Sequence, residues 1–174
     1  MNLMWADAIK EGAEQSRILG RCSAGSHDTI LLTWINIEKV GVRGRWSTVR
    51  IEVSQLPPVS SSPNWRGHWG EKYKDSKVYH GAVFYCCVDA RNRGYREGMS
   101  FPFTKARLNL TFVFPEQRRR DRDNLLAGFK PGQDAIVDAG LLLDDDAEHL
   151  QIGKVDILVD PERAPLTIIE LEEE

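Results

Sequence analysis

The chain has 174 residues, 41% apolar and 28% charged, the composition of one soluble domain with room for an appendage. No apolar run approaches the roughly 18 residues of a membrane span, and the acid-bearing start "MNLMWADAIKEGAEQ" lacks the apolar stretch of a secretory leader. The net charge of −3 conceals a split: residues 1–133 carry 21 Lys and Arg against 13 Asp and Glu, residues 134–174 carry 2 against 13.

The first part is therefore net basic and the second strongly acidic. A local basic surface suits a polyanion such as nucleic acid, and scattered solvated charge is the plainer alternative. Three cysteines, two of them the neighbours Cys86 and Cys87, point to free thiols in a reducing compartment, hence a cytoplasmic protein.

In chain order, Met1 to Leu19 has helical spacing, and Thr29 to Val42 is a strand candidate broken at Gly41. Residues 1–47 match no motif and are expected to form an N-terminal extension. The main domain spans 48–174. "TVRIEV" alternates as a half-buried strand does, with Val49, Ile51 and Val53 on one face. "QLPPVSSSPNWRGHWG" is dense in Pro, Ser and Gly and reads as a long loop. It carries Asn64, Trp65, Arg66, His68 and Trp69, and Lys72, Lys74 and Lys77 follow. Indoles beside bases suit a nucleic-acid backbone and its unstacked bases. A loop folded on its own tryptophans fits equally well.

The spacing of Val78, Ala82, Tyr85, Cys86 and Asp89 predicts a helix from about Asp75 to Arg93. "ARLNLTFVF" alternates cleanly and is the plainest strand in the chain. Asn124 to Ala139 is predicted to be a second helix, capped by Asp121 or Asp123, interrupted near Pro131 and Gly132, and closed by Gly140. "LLL" then runs into "DDD", and "IGKVDILV" and "LTIIEL" are further strands. The order predicts an α/β or α+β fold, a small mixed sheet packed with two main helices.

The chemistry concentrates in "RRRDRDNLLAGFK", Arg118 to Lys130. Asp121 and Asp123 follow a strand end and precede a helix, where open α/β sheets place ligands. Two carboxylates so close repel unless a cation joins them. Mg²⁺ takes hard oxygen ligands and is held by one or two carboxylates with water and phosphate. A third ligand can come from Asp144 to Asp146 if the run before them lies beside the first strand. A cation held there would polarise a phosphodiester and activate a water. Arg118, Arg119, Arg120 and Arg122 can grip phosphate bidentately, and Lys130 can stabilise charge on the departing oxygen. The same residues also fit a surface salt-bridge cluster with an aspartate helix cap. Among the histidines and cysteines no zinc spacing appears, and no Walker A or G-x-S-x-G motif is present.

"FVFPEQRRRDRDNLLAGFKPGQDAIVDAGLLLDDD" resembles the RusA family of Holliday junction resolvases. That pattern is a strand, a basic run, D-x-D-N-L, a lysine, a D-A-h helix end with h apolar, A-G, an apolar strand and D-D. "LPPVSSSPNWRGHW" is similar to the family's Pro/Ser/Asn-rich loop, and the match runs from about Thr48 to Leu171.

The resemblance implies a small homodimer that binds four-way DNA junctions. It implies Mg²⁺-dependent cleavage of two strands placed symmetrically across the branch, with Mn²⁺ a substitute. It carries the catalytic and metal-binding acids onto Asp121, Asp123 and Asp145, with Asp144 beside the last. The family lysine falls on Lys130 across a small insertion after Asn124. Asn64, Arg66, Lys72 and Lys74 join the arginines as expected DNA contacts. The rival expectations are a branched-DNA binder without cleavage and a D-x-D enzyme acting on nucleotide-sugar phosphates.

Overall fold

Every second residue of strand β1, Thr48–Val53, is buried: Val49, Ile51 and Val53 point into the core and their neighbours do not. The computed structural model describes residues 47–174; the helix and strand expected within residues 1–46 lie outside them. Three further strands follow, β2 (Ala106–Phe114), β3 (Leu150–Val159) and β4 (Leu166–Glu173). They form one mixed sheet in the order β1-β4-β2-β3. β4 runs antiparallel to both β1 and β2, and β3 runs parallel to β2. A parallel pair needs a long crossover, and here helices supply it.

Register explains the core. Val49 and Ile51 sit opposite Leu171 and Ile169 of β4, and on its other side the same two residues face Leu108 and Leu110 of β2. One apolar layer thus crosses three strands. Helix α1, Trp69–Arg96, covers it with Tyr79, Val83, Cys87, Ala90 and Gly94, spaced by threes and fours. The outer face is polar: Arg50 bridges Glu52 at 3.0 Å and Glu170 at 3.1 Å, and Arg107 meets Glu174 at 2.7 Å.

Helix α1 begins at Trp69, not near Asp75. Its added first turns are polar and aromatic all round, so no apolar periodicity betrays them. His68 caps the helix, its Nδ1 accepting the Gly70 N–H at 3.1 Å. The preceding loop is shorter than expected and contains a 3₁₀ turn, Val59–Ser61. Ser60 and Ser61 are buried and satisfied: Ser60 donates to Asp75 at 2.6 Å, and Ser61 pairs with Ser76 at 3.0 Å.

The single helix expected over Asn124 to Ala139 is two, α2 (Arg122–Gly128) and α3 (Lys130–Asp138). The break falls at Phe129, ahead of the expected Pro131. That proline sits in the first turn of α3, where a missing N–H costs nothing. The break turns Phe129 fully into the core, edge-on to Tyr79 and Phe112, each with ring centroids 6.3 Å away. Gly140, at φ 71°, ends α3 with paired bonds: its own N–H to Val137 O at 2.8 Å and Leu141 N–H to Ile136 O at 3.2 Å. The apolar run "LLL" is not a strand. Leu142 alone makes a bridge, parallel to Phe103, and Leu143 is exposed. Among the described residues no helix is long and apolar enough to cross a membrane.

Candidate functional site

The acids singled out in the sequence form two groups at opposite ends of α2. That helix has seven residues and so is about 10 Å long.

The first group lies at its start. Asp121 is the N-cap: one carboxylate oxygen accepts the Asp123 N–H at 3.1 Å. The other accepts from the Asn124 amide, also at 3.1 Å. The amide oxygen of Asn124 in turn accepts from Asn64 at 3.1 Å, which ties the long loop to the acid pair. All these donors are neutral. The Asp123 carboxylate is exposed and has no hydrogen-bond or ion-pair partner among the described residues. Two negative charges thus stand together without a protein cation.

This holds even though four arginines flank them, because the guanidiniums go elsewhere. Arg118 pairs with Glu116 at 2.6 Å. Arg120 lies 3.7 Å over the Phe114 ring and donates to the carbonyls of Glu116 and Arg118. Stacked on Phe114, its side chain fixes the path of the chain between β2 and α2. Arg119 and Arg122 are exposed and make no ion pair among the described residues.

The second group follows α2. Lys130 contacts the Asp145 carboxylate and pairs with Asp134 at 3.0 Å. Burial pulls the Lys130 ammonium down, but the bonds to Asp145 and Asp134 outweigh it, and its pKa lies above the ordinary lysine value. Asp144 turns back on the chain and accepts the Asp145 N–H at 2.7 Å. Asp146 pairs with His149 at 2.7 Å, and that bond holds its carboxyl below the ordinary aspartate value. A shallow pocket of about 240 Å³ lies beside this group, lined by Asp134, Val137, Asp138 and Asp145. Three acids among four lining residues make it no cradle for phosphate.

Lys130 therefore reaches Asp145, as expected of residues sharing a site. The acids do not reach each other: among the described residues no three His, Cys, Asp or Glu side chains converge so as to hold a metal ion. The donor chemistry of the first group still fits Mg²⁺. It offers two exposed carboxylates, hard oxygen ligands without a cation, and Mg²⁺ is commonly bound by only one or two.

In the loop, the two readings of the tryptophans divide. Trp65 folds over its own loop, its ring so close to Gly67 that a Cβ there would lie 2.3 Å from it. Trp69 does not; it is 75% exposed. Arg66, Lys72 and Lys74 are exposed and make no ion pair among the described residues, and of the expected loop contacts only Asn64 bonds to the acid group. The reading of the sequence missed Asn124 as the link between Asn64 and Asp121. Its place directly after D-x-D was the available signal.

No protein-family model matches the sequence. The chain is 42% identical over 85 residues to an uncharacterized protein of Xylella fastidiosa (strain Temecula1), a stretch that takes in 48% of this chain and 52% of that protein. The match spans about half the length of that relative.

Proposed function

We propose that the protein is a Mg²⁺-dependent, structure-specific endodeoxyribonuclease that resolves four-way DNA junctions, as the resemblance to the RusA family implies. The observation that carries this reading is the exposed Asp121–Asp123 pair, set among arginines at the end of β2 yet without a cationic partner among the described residues. Chains that need a carboxylate pair only for capping spend one acid, and here one acid already does that work.

Asp121 and Asp123 would hold the ion; Asp145, with Asp144 beside it, is the third oxygen ligand that the resemblance implies, and it stands with the second group, paired to Lys130, rather than beside the pair. A divalent cation bound there supplies Lewis-acid polarisation of the phosphodiester. The chain's own residues do the rest. Asn124 fixes the rotamer of Asp121. Arg119 and Arg122, exposed and without an ion pair among the described residues, would grip backbone phosphates. Lys130, paired with Asp145 and Asp134, would supply positive charge to the departing oxygen. An isologous homodimer offers two such sites to a junction that is itself close to two-fold symmetric.

A second reading, a branched-DNA binder without cleavage, is favoured by one observation: Lys130 already occupies the third acid. A gel assay separates the two. The purified chain is incubated with synthetic four-way, Y-shaped and linear DNA, in Mg²⁺ and in chelator. Paired nicks in the four-way substrate, in Mg²⁺ only, are expected. Binding to the junction with every strand intact in both buffers would make the protein a binder and end the endonuclease reading.

A further inference from the structure

The first ten residues of α1, Trp69 to Val78, bury nothing; the first buried side chain is Tyr79. This stretch, about 15 Å long, projects past the core, anchored through Asp75 and Ser76 to the buried serines of the 3₁₀ turn. It is not a polar stub. Trp69 is 75% exposed and Tyr73, one turn on, is 55% exposed. Lys77, a further turn on, places its ammonium 5.0 Å from the centre of the Tyr73 ring. Lys72 and Lys74 flank the two rings, and Arg66 lies just before them, all exposed. Of the two acids in the stretch, Asp75 is turned to Ser60, which leaves Glu71 alone against three lysines.

Two exposed aromatic rings one turn apart, edged with lysine, are costly to leave in water, even with Trp69 tilted against His68 at 5.9 Å between ring centroids and Lys77 over one face of Tyr73. A core neighbour would match the rings but strand the lysines, and a highly charged duplex would match the lysines but have no open base for the rings. An unpaired strand satisfies both: its bases stack on the rings and its phosphates meet the ammonium groups. We infer that the projecting start of α1 is a binding surface for single-stranded DNA, with Trp69 and Tyr73 as stacking platforms and Lys72, Lys74 and Lys77 along the backbone. The loop that leads into this surface bonds to the acid pair through Asn64 and Asn124, which gives a strand lying on it a path toward Asp121 and Asp123. It shares with the proposed function only the premise that DNA is the polyanion, and it would select substrates with unpaired bases at the branch.

The test uses the full chain in chelator, so that cleavage plays no part. Fluorescence anisotropy follows binding of a labelled oligothymidylate of about 20 nucleotides, longer than a typical single-strand site, and of a duplex of equal length. Tighter binding of the single strand is expected. Trp69→Ala and Tyr73→Ala should each weaken it about tenfold, the double variant should lose the preference over duplex, and Trp69→Phe should retain most of it. Three results would overturn the surface: unchanged oligothymidylate binding in the double variant, loss in Trp69→Phe as deep as in Trp69→Ala, or a change in self-association with no change in DNA affinity. A chain that binds the single strand through these rings but cuts no junction supports the surface and removes only the endonuclease reading.

Discussion

The two acid groups have similar compositions and opposite electrostatics. At the start of α2, Asp121 is held by neutral N–H donors, the Asp123 carboxylate is exposed, and neither meets a cation among the described residues, although four arginines stand within a few residues. Past its end, Asp145 and Asp146 are each matched by the protein itself, through Lys130 and His149. A chain that neutralises one group and leaves the other bare is not simply spreading charge over a solvated face. On the proposed reading, the bare pair would take its cation from outside, and Asp145 would have to part from Lys130 to share it.

This contrast gives the largest expected effects. Asp121→Asn and Asp145→Asn should each lower junction cleavage at least about a hundredfold, with junction binding held within about twofold because the phosphate contacts remain. Cleavage rates and gel-shift affinities measured together check it. A large loss for Asp121 with none for Asp145 would leave the second group outside the site.

Next in size is the hinge between the groups. Phe129→Ala empties a fully buried position where α2, α3, Tyr79 and Phe112 meet, and should cost about 3–5 kcal/mol in urea unfolding. A cost near 1 kcal/mol would mean that the two helices are not set by this ring.

The groups should also respond in opposite directions to the loss of a partner. Lys130→Ala frees Asp145, so half-maximal cleavage should need less Mg²⁺ while the maximal rate falls about tenfold. Its effect on stability should stay below about 1 kcal/mol, since the ion pair is largely exposed. Asn124→Ala frees Asp121 from its orienting amide, so more Mg²⁺ should be needed. Rates measured across a Mg²⁺ series decide this, and shifts in the same direction for both variants would erase the contrast.

A smaller effect separates cap from ligand. Asp121→Ala removes the N-cap of α2 and should cost about 1 kcal/mol, whereas Asp121→Asn keeps most of the cap. Thermal melts distinguish stability from activity here.

Alkaline pH tests the core apart from either group. Burial pushes the Cys87 thiol well above its ordinary value of 9.0. Its folded pKa is raised, so its contribution is complete below about pH 9 and is lost as pH climbs above that. The melting temperature should fall between about pH 9 and pH 11, and less steeply in Cys87→Val.

Much of this could be read from the residues. Alternation in "TVRIEV" and "ARLNLTFVF" marked β1 and β2, because a strand with one buried face repeats every two residues. An aspartate cap, either Asp121 or Asp123, and Gly140 as a helix end were legible from local chemistry alone; the structure selects Asp121. The failures share a cause. The start of α1 has no apolar side, because among the described residues it is anchored by polar bonds to the 3₁₀ turn and buries no apolar face, so periodicity could not show it. The break at Phe129 is dictated by Tyr79 and Phe112, residues distant in the chain, while the visible Pro131 is merely compatible with it. "LLL" looked like a strand because burial of Leu141 and Leu142 needs apolar residues in a turn as much as in a sheet. In the candidate site, residue types and spacing picked out the residues proposed for it, but not that Lys130 would hold Asp145 or that Asn124 would join Asn64 to Asp121.

The most direct measurement places the wild-type chain and Asp123→Asn side by side on one four-way junction in Mg²⁺, scoring bound and cleaved DNA in the same samples. The expected result is equal binding by both and paired cleavage by the wild type alone. Cleavage by Asp123→Asn at the wild-type rate would contradict the assignment of the bare acid pair as the metal-dependent centre.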